Sequence, residues 1–421
     1  MAVVFILVDG LAVETLERSL AGGKVPALKE FFLGKGGRVH AGRAIFPSTT
    51  YPNISSILTS RPVDGHPIIG NQMRLRGEMV NFERPSFRKE LNEEIEPKTI
   101  FSELAERGLQ SASFAHYFRA GASVHYHTDI EAALGYLHKD YALVDERLID
   151  SLQTLFSRTV PKEWPFFTFL HVAGVDSLSH DKGPTAPEVD AYLERLDRKL
   201  TPFFQLLSSA EANGKTVVAV LTADHGFTSF ESNFNIESFL AQAAPGIKAL
   251  NETRYVSIYF DHADVGLARE GMIEGLPRNP ELEMYLERRG NQIQMESAQF
   301  SATLDYVAMN CPKSSYGVQL NISGAKETSI PHCPEYFDSS EHSFYAPFFV
   351  SDISFYFHSP YHPDALLFAG PGVSFANDQK GGHGGATAEE LSVPILLHNV
   401  TVQDETLALP TYELLKPMRR K

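Results

Sequence analysis

Residues 3–10 read Val3-Val4-Phe5-Ile6-Leu7-Val8-Asp9-Gly10, an unbroken apolar run that stops at an acid and a glycine. A run without polar alternation is what a strand covered on both faces looks like, and this one is far too short to cross a membrane. Two further runs share its design. Phe166 to Val175 ends in Asp176, and Val217 to Leu221 leads to Asp224 and His225. Helical stretches lie between them, the clearest with Val189, Tyr192, Leu193, Leu196, Leu200, Phe203, Phe204 and Leu207 at helical spacing. Thr185 and Glu188 have the spacing of a capping box around Pro187, and Asn213-Gly214 supplies the stop. The expectation is an α/β fold: a mostly parallel central sheet with helices on both faces. Ligands of such sheets bind beyond the carboxyl ends of the strands, so the three acids are expected to meet there.

The 421 residues suffice for one large core plus a smaller module. From residue 245 to 344 the alternation of strand and helix weakens, and this stretch reads as an inserted cap over the site. Residues 1–244 and 345–421 then form a discontinuous core, whose strand pattern resumes at Ala365 to Phe368. Lys and Arg total 37 against 52 Asp and Glu, a net charge of -15, which argues against a broad grip on nucleic acid. No membrane partner is expected either. The N-terminal run has no basic flank before it and no small-residue cleavage site after it, so a cytoplasmic location is expected. The two cysteines, Cys311 and Cys333, supply no disulfide framework.

Chemistry enters with Phe46-Pro47-Ser48-Thr49-Thr50-Tyr51-Pro52-Asn53, followed by Ile54, Ile57 and Leu58 at helical spacing. This places hydroxyls at a helix start, where unpaired N–H groups favour an anion such as phosphate. A threonine hydroxyl is a poor nucleophile near neutral pH and needs a base or a bound cation to favour the alkoxide. Asp9, Asp176, His180, Asp224, His225 and His383 are donors that zinc and similar metals accept.

With Val8-Asp9-Gly10, Phe46 to Asn53, Asp176-Ser-Leu-Ser-His180, Thr222-Ala-Asp224-His225-Gly226 and Gly382-His383-Gly384 in this order, the chain resembles the alkaline phosphatase superfamily. Within it, the nucleotide pyrophosphatase/phosphodiesterase branch is the most similar. The resemblance implies two divalent cations, zinc before manganese or iron. One would be held by Asp176, His180 and His383, the other by Asp9, Asp224, His225 and the nucleophile Thr50. Asn71 falls where the family's phosphate-binding asparagine lies. Two cations would balance three aspartates and a threonine alkoxide, so a phosphoryl group meets a site near neutrality. The implied activity is hydrolysis of a phosphodiester or pyrophosphate bond in a nucleotide-like small molecule through a phosphothreonine intermediate.

The sequence admits alternatives. Three adjacent hydroxyls allow a one-residue slip to Thr49, against which Tyr51-Pro52-Asn53 favours Thr50. The segment after His383 looks more like phosphonoacetate hydrolases and PglZ-type members, which leaves phosphomonoester or phosphonate hydrolysis as a second chemistry. A non-catalytic metal-binding or assembly role, PglZ-like, is a third reading; a retained nucleophile beside a full ligand set argues against it. Sulfatases need a Cys-x-Pro-x-Arg segment, which this sequence lacks. His125, His127, His358 and His362 read as structural or surface residues. Cys311, His332, Cys333 and His342 are the right types for zinc at an unrecognised spacing, and read as ordinary side chains. Arg74 and Arg76 suit a distal phosphate or carboxylate of the substrate as well as they suit a solvated loop.

Overall fold

The structure is a computed structural model that describes residues 1–34, 36–84, 98–115, 117–126, 130, 134–135, 138, 140–260, 265–289, 292–297, 301–307, 317–323, 349–376, 378–400 and 409–419. The opening run forms the strand Ala2–Val8, buried at every residue. It pairs in parallel with Phe167–Val172 on one side and Val217–Thr222 on the other. The three acid-ended runs are therefore three adjacent strands. Register carries the acids to one level: Val8 lies opposite Val172, and Leu7 opposite Thr222, two residues before Asp224. Burying a Val, Leu, Ile or Phe side chain contributes about 1.5–3 kcal/mol, so this apolar centre is a stiff frame for its exits.

Eight strands make the sheet, in the order Leu409–Pro410, Val39–Arg43, Ser392–His398, Val217–Thr222, Ala2–Val8, Phe167–Val172, Ser111–Phe114 and Val124–His125. It is mostly parallel, as the unbroken runs imply. Ser392–His398 runs antiparallel to both of its neighbours. The long helix Pro187–Ala212 buries the expected stripe and packs on the helices Tyr141–Arg158 and Gly174–Lys182. Its start differs from the expectation. The N-cap is Ala186 and no side chain caps it, so Thr185 and Glu188 make no capping box. A capping box does form at Thr387 and Glu390, where Glu390 also accepts from Gly385 N. Asn213 and Gly214 end the long helix as expected, with Gly214 at a φ of 87°.

A second, antiparallel sheet has the order Lys248–Asn251, Tyr255–Tyr259, Ala365–Ala369, Leu282–Arg289, Gln292–Ser297, Ser301–Val307 and Gly317–Ser323. The strand Ala365–Ala369, expected to resume the pattern of the first sheet, lies inside this one. An apolar five-residue strand buried along its whole length fits the middle of either sheet, and hydropathy alone does not choose between them. The two sheets are tied beside the strand exits. Gln72 donates through N to Glu252 and through Nε2 to Asn251 O at 2.8 Å. Arg254 Nε donates to Glu390 at 3.1 Å, both side chains fully buried. Phe46 packs among Tyr255, Tyr356 and Phe368 with ring centroids 5.3–5.5 Å apart. Among the described residues no helix is long and apolar enough to cross a membrane.

Candidate active site

Thr50 opens the helix Thr50–Thr59, and Asn53 holds the loop that leads into it. Asn53 Oδ1 accepts from Ile45 N at 2.8 Å, while Nδ2 donates to Pro47 O at 2.8 Å and Thr49 O at 3.0 Å. Thr50 Oγ1 then sits 3.3 Å from His225 Nε2. Thr49 Oγ1 is buried and has no hydrogen-bond partner among the described residues. Asn71 accepts from Tyr51 N, in the first turn of the same helix, at 3.1 Å.

The other expected residues converge on this point. Asp9, Asp224 and His225 present donor atoms within 4.8 Å of one another, and so do Asp176, His225 and His383. His180 Nε2 is 3.4 Å from Asp176 Oδ1 and 3.2 Å from His383 Nε2. His225 Nε2 is 3.3 Å from Asp9 Oδ1 and 3.4 Å from Asp224 Oδ2. Gly10, at a φ of 68°, makes the close approach: an added Cβ would lie 3.0 Å from Asp176 Cα and 3.1 Å from the Phe227 ring. Its N–H donates to Asp224 Oδ1 at 3.2 Å.

Tautomers decide what this cluster can hold. His180 Nδ1 faces Gly381 O at 3.0 Å, His225 Nδ1 faces Gly226 O at 2.9 Å, and His383 Nδ1 faces Ser48 O at 2.8 Å. A carbonyl only accepts, so each Nδ1 carries the proton and each neutral ring turns an Nε2 lone pair inward. Those lone pairs meet one another and Asp9 Oδ1, Asp176 Oδ1 and Asp224 Oδ2, three buried oxygens with no hydrogen-bond partner among the described residues. Acceptors crowded without donors are unfavourable unless cations lie between them, so the residues present fit divalent metals. Protons would otherwise have to fill that role. Burial and then the Asp9 carboxylate push Asp224 up to about 8. Burial works against the His225 cation but is outweighed by Asp224 and Asp9, which raise it to about 10.

Several supporting residues were not singled out from the sequence. His171, 3% exposed, meets Asp9 Oδ2 at 2.8 Å and fixes the carboxylate from behind. Its signal was a lone imidazole within the apolar run from Phe166. Ser48 joins the nucleophile loop to the His383 loop: its Oγ donates to Gly385 O at 2.8 Å and accepts from Gly384 N at 2.9 Å. Asp145 accepts from Ala173 N at 3.1 Å, Gly174 N at 2.8 Å and Tyr192 Oη at 2.5 Å, and so holds the first turn of the helix that carries Asp176 and His180. Only folding brings Asp145 to that helix.

The remaining candidates lie elsewhere. Arg74 stacks on Tyr259, 4.4 Å from the ring centroid, and its N–H donates to the same hydroxyl at 3.2 Å, so it leans on the second sheet. Arg76 stands in a turn at a φ of 51°. His125 ends the edge strand Val124–His125, His358 ends the helix Phe349–His358, and His362 pairs with Arg288 at 2.8 Å. His127, Cys311, His332, Cys333 and His342 lie outside the described residues.

With this geometry in place, residues 3–388 match the family model of type I phosphodiesterase/nucleotide pyrophosphatase. The chain belongs to that family. Within the phosphodiesterase family, human ectonucleotide pyrophosphatase/phosphodiesterase family member 1 is 29% identical over 188 residues, covering 44% of this chain and 19% of the human protein. Rat family member 3 is 27% identical over 188 residues, covering 44% of this chain and 20% of its own. The aligned stretch is thus about a fifth of the length of these relatives. Among solved structures, phosphonoacetate hydrolase from Sinorhizobium meliloti, in complex with phosphonoacetate, superposes with a TM-score of 0.64 at 17% identity, covering 100% of this chain and 95% of that one. Murine ectonucleotide pyrophosphatase/phosphodiesterase 5 gives 0.63 at 16% identity with the same coverage. These likenesses establish an alkaline phosphatase-like fold.

Proposed function

We propose that the protein is a metal-dependent hydrolase of phosphodiester or pyrophosphate bonds in a nucleotide-like small molecule, with Thr50 as nucleophile. The observation that carries this reading is the convergence of three inward Nε2 atoms and three unpartnered carboxylate oxygens beside the Thr50 hydroxyl. Asp176, His180 and His383 would hold one divalent cation, and Asp9, Asp224, His225 and Thr50 the other, zinc being the first choice for these donors. When bound, the cations would lower the pKa of the threonine hydroxyl and offset charge on the attacking and leaving oxygens.

The chain's own groups do the rest. Thr50 Oγ1 forms the bond to phosphorus as one ester oxygen leaves opposite, giving a phosphothreonine that still carries the other ester group; water attack then restores the hydroxyl and releases the phosphomonoester. Asn71 Nδ2 and the Thr50 amide N–H, at the helix start, hold a non-bridging oxygen. The described part of residues 245–344 would act as the cap. Supporting this, Gln72 and Glu390, next to the Asn71 and His383 loops, are tied to Glu252 and Arg254. A second chemistry, phosphonate or phosphomonoester hydrolysis on the same residues, is favoured by the likeness to phosphonoacetate hydrolase.

The test is a paired assay of a p-nitrophenyl monoester and a nucleoside p-nitrophenyl diester, with zinc or manganese returned to chelated protein. Faster metal-dependent cleavage of the diester supports the first reading, preference for the monoester supports the second, and metal-independent rates contradict both.

A further inference from the structure

A carboxylate stands at the phosphate-binding amide, and neither cation group uses it. Asn71 Oδ1 is engaged by Tyr51 N, which leaves its Nδ2 for the substrate side. The partner that Nδ2 meets there is Glu83 Oε1, at 3.4 Å. Glu83 is exposed as a residue, while partial burial of its carboxyl raises its pKa against the opposing effect of the bond from Asn71. Its place is fixed by the preceding residue: the Phe82 ring packs 5.8 Å from Tyr51, the residue after the nucleophile. Glu83 also lies within electrostatic reach of Asp176 and His180. A second carboxyl, that of the buried Glu252, lies within the reach of Glu83 in turn.

We propose that Glu83 sets the charge preference of the site, favouring phosphoesters whose organic group beside Asn71 carries a hydrogen-bond donor or a positive charge, and disfavouring those that place a further anionic group there. The proposal rests on the phosphoester reading above and specifies its substrate class. Asn71 Nδ2 carries two hydrogens, so it can donate one to Glu83 Oε1 and the other to a phosphoryl oxygen, which then lies one amide group away from the Glu83 carboxylate. The phosphoryl charge is offset by the cations, but a second anion on the organic group is not, and it would face the Glu83 carboxylate, which no cation of the site neutralises. An ammonium or hydroxyl at the same place finds in Glu83 an acceptor already oriented by Asn71, and a charge-assisted bond is the stronger kind.

The experiment uses two ligands with the same phosphate and opposite charge at the far end, phosphoethanolamine and phosphoglycolate. Their dissociation constants are measured by titration calorimetry on the zinc-loaded full chain, for the wild type and for Glu83→Gln, which keeps the shape of an exposed side chain. The wild type is expected to bind phosphoethanolamine more tightly, and the variant to move the ratio of the two constants about tenfold toward phosphoglycolate. A ratio that changes less than twofold, a parallel weakening of both ligands, or no binding of either to the wild type overturns the proposal. Diester turnover is followed on the same samples: if it is absent while the ratio shifts as expected, the hydrolase reading fails and the charge preference stands.

Discussion

Asp145 offers a stability measurement with a magnitude set by its surroundings. Burial pushes its carboxyl from 3.8 up to about 6, against the opposing effect of the bonds from Tyr192, Ala173 and Gly174. The folded state therefore binds more protons than the unfolded chain between about pH 4 and pH 6, and stability falls as pH rises through that window. A shift of about two units corresponds to about 3 kcal/mol in total, of which about 1 kcal/mol is lost between pH 5 and pH 7. The assay is urea unfolding at pH 5, 6 and 7 with chelator present, so that metal binding adds nothing. In Asp145→Asn the Tyr192 hydroxyl can reverse and accept from the new amide, but Gly174 N–H loses its acceptor, a pH-independent cost of about 1–3 kcal/mol. The slope that Asp145 contributes disappears. A variant with the wild-type slope, merely displaced to lower stability, would refute the argument.

Other consequences are as direct. Thr50→Ala should lower turnover by at least a thousandfold while thermal melting of the metal-free protein changes little, whereas Thr49→Ala should retain turnover; steady-state rates on a diester decide, and the reverse pattern moves the nucleophile to Thr49. Ser48→Ala removes both bonds to residues 384–385, so the rise in melting temperature on adding zinc should shrink and the zinc dissociation constant should rise about tenfold, while Ser48→Thr restores both. Gly174→Ala would place a Cβ 2.2 Å from the Tyr192 ring, which Asp145 pins, so a loss of about 2–3 kcal/mol in urea unfolding is expected.

Much of the site was legible because its parts are local. Asp9, Asp176 and Asp224 each end an apolar run, and adjacency of three parallel strands was enough to bring them together. Thr50 and Asn53 sit on a short helix start whose spacing shows in the sequence. The rest depends on residues that meet only across the fold. Asp145 reaches its helix from 28 residues away, and Ser48 reaches Gly384 across 336. The strand at Ala365 was recognisable as a strand, yet its sheet was not, because pairing partners are set by packing between distant segments. The failed capping box at Thr185 and the formed one at Thr387 make the same point. The spacing is necessary for that motif, and the local backbone decides whether it closes.

The proposed arrangement places two cations against Thr50 in a cluster built of acceptors. Its most direct test is metal content per chain after equilibration with zinc and gel filtration, measured by plasma emission for the wild type and for His383→Ala and Asp224→Asn, with diester turnover followed alongside. Two equivalents are expected in the wild type, with about one lost in each variant and with turnover that chelation abolishes and zinc restores. Less than half an equivalent in the wild type, or turnover indifferent to chelation, would contradict it.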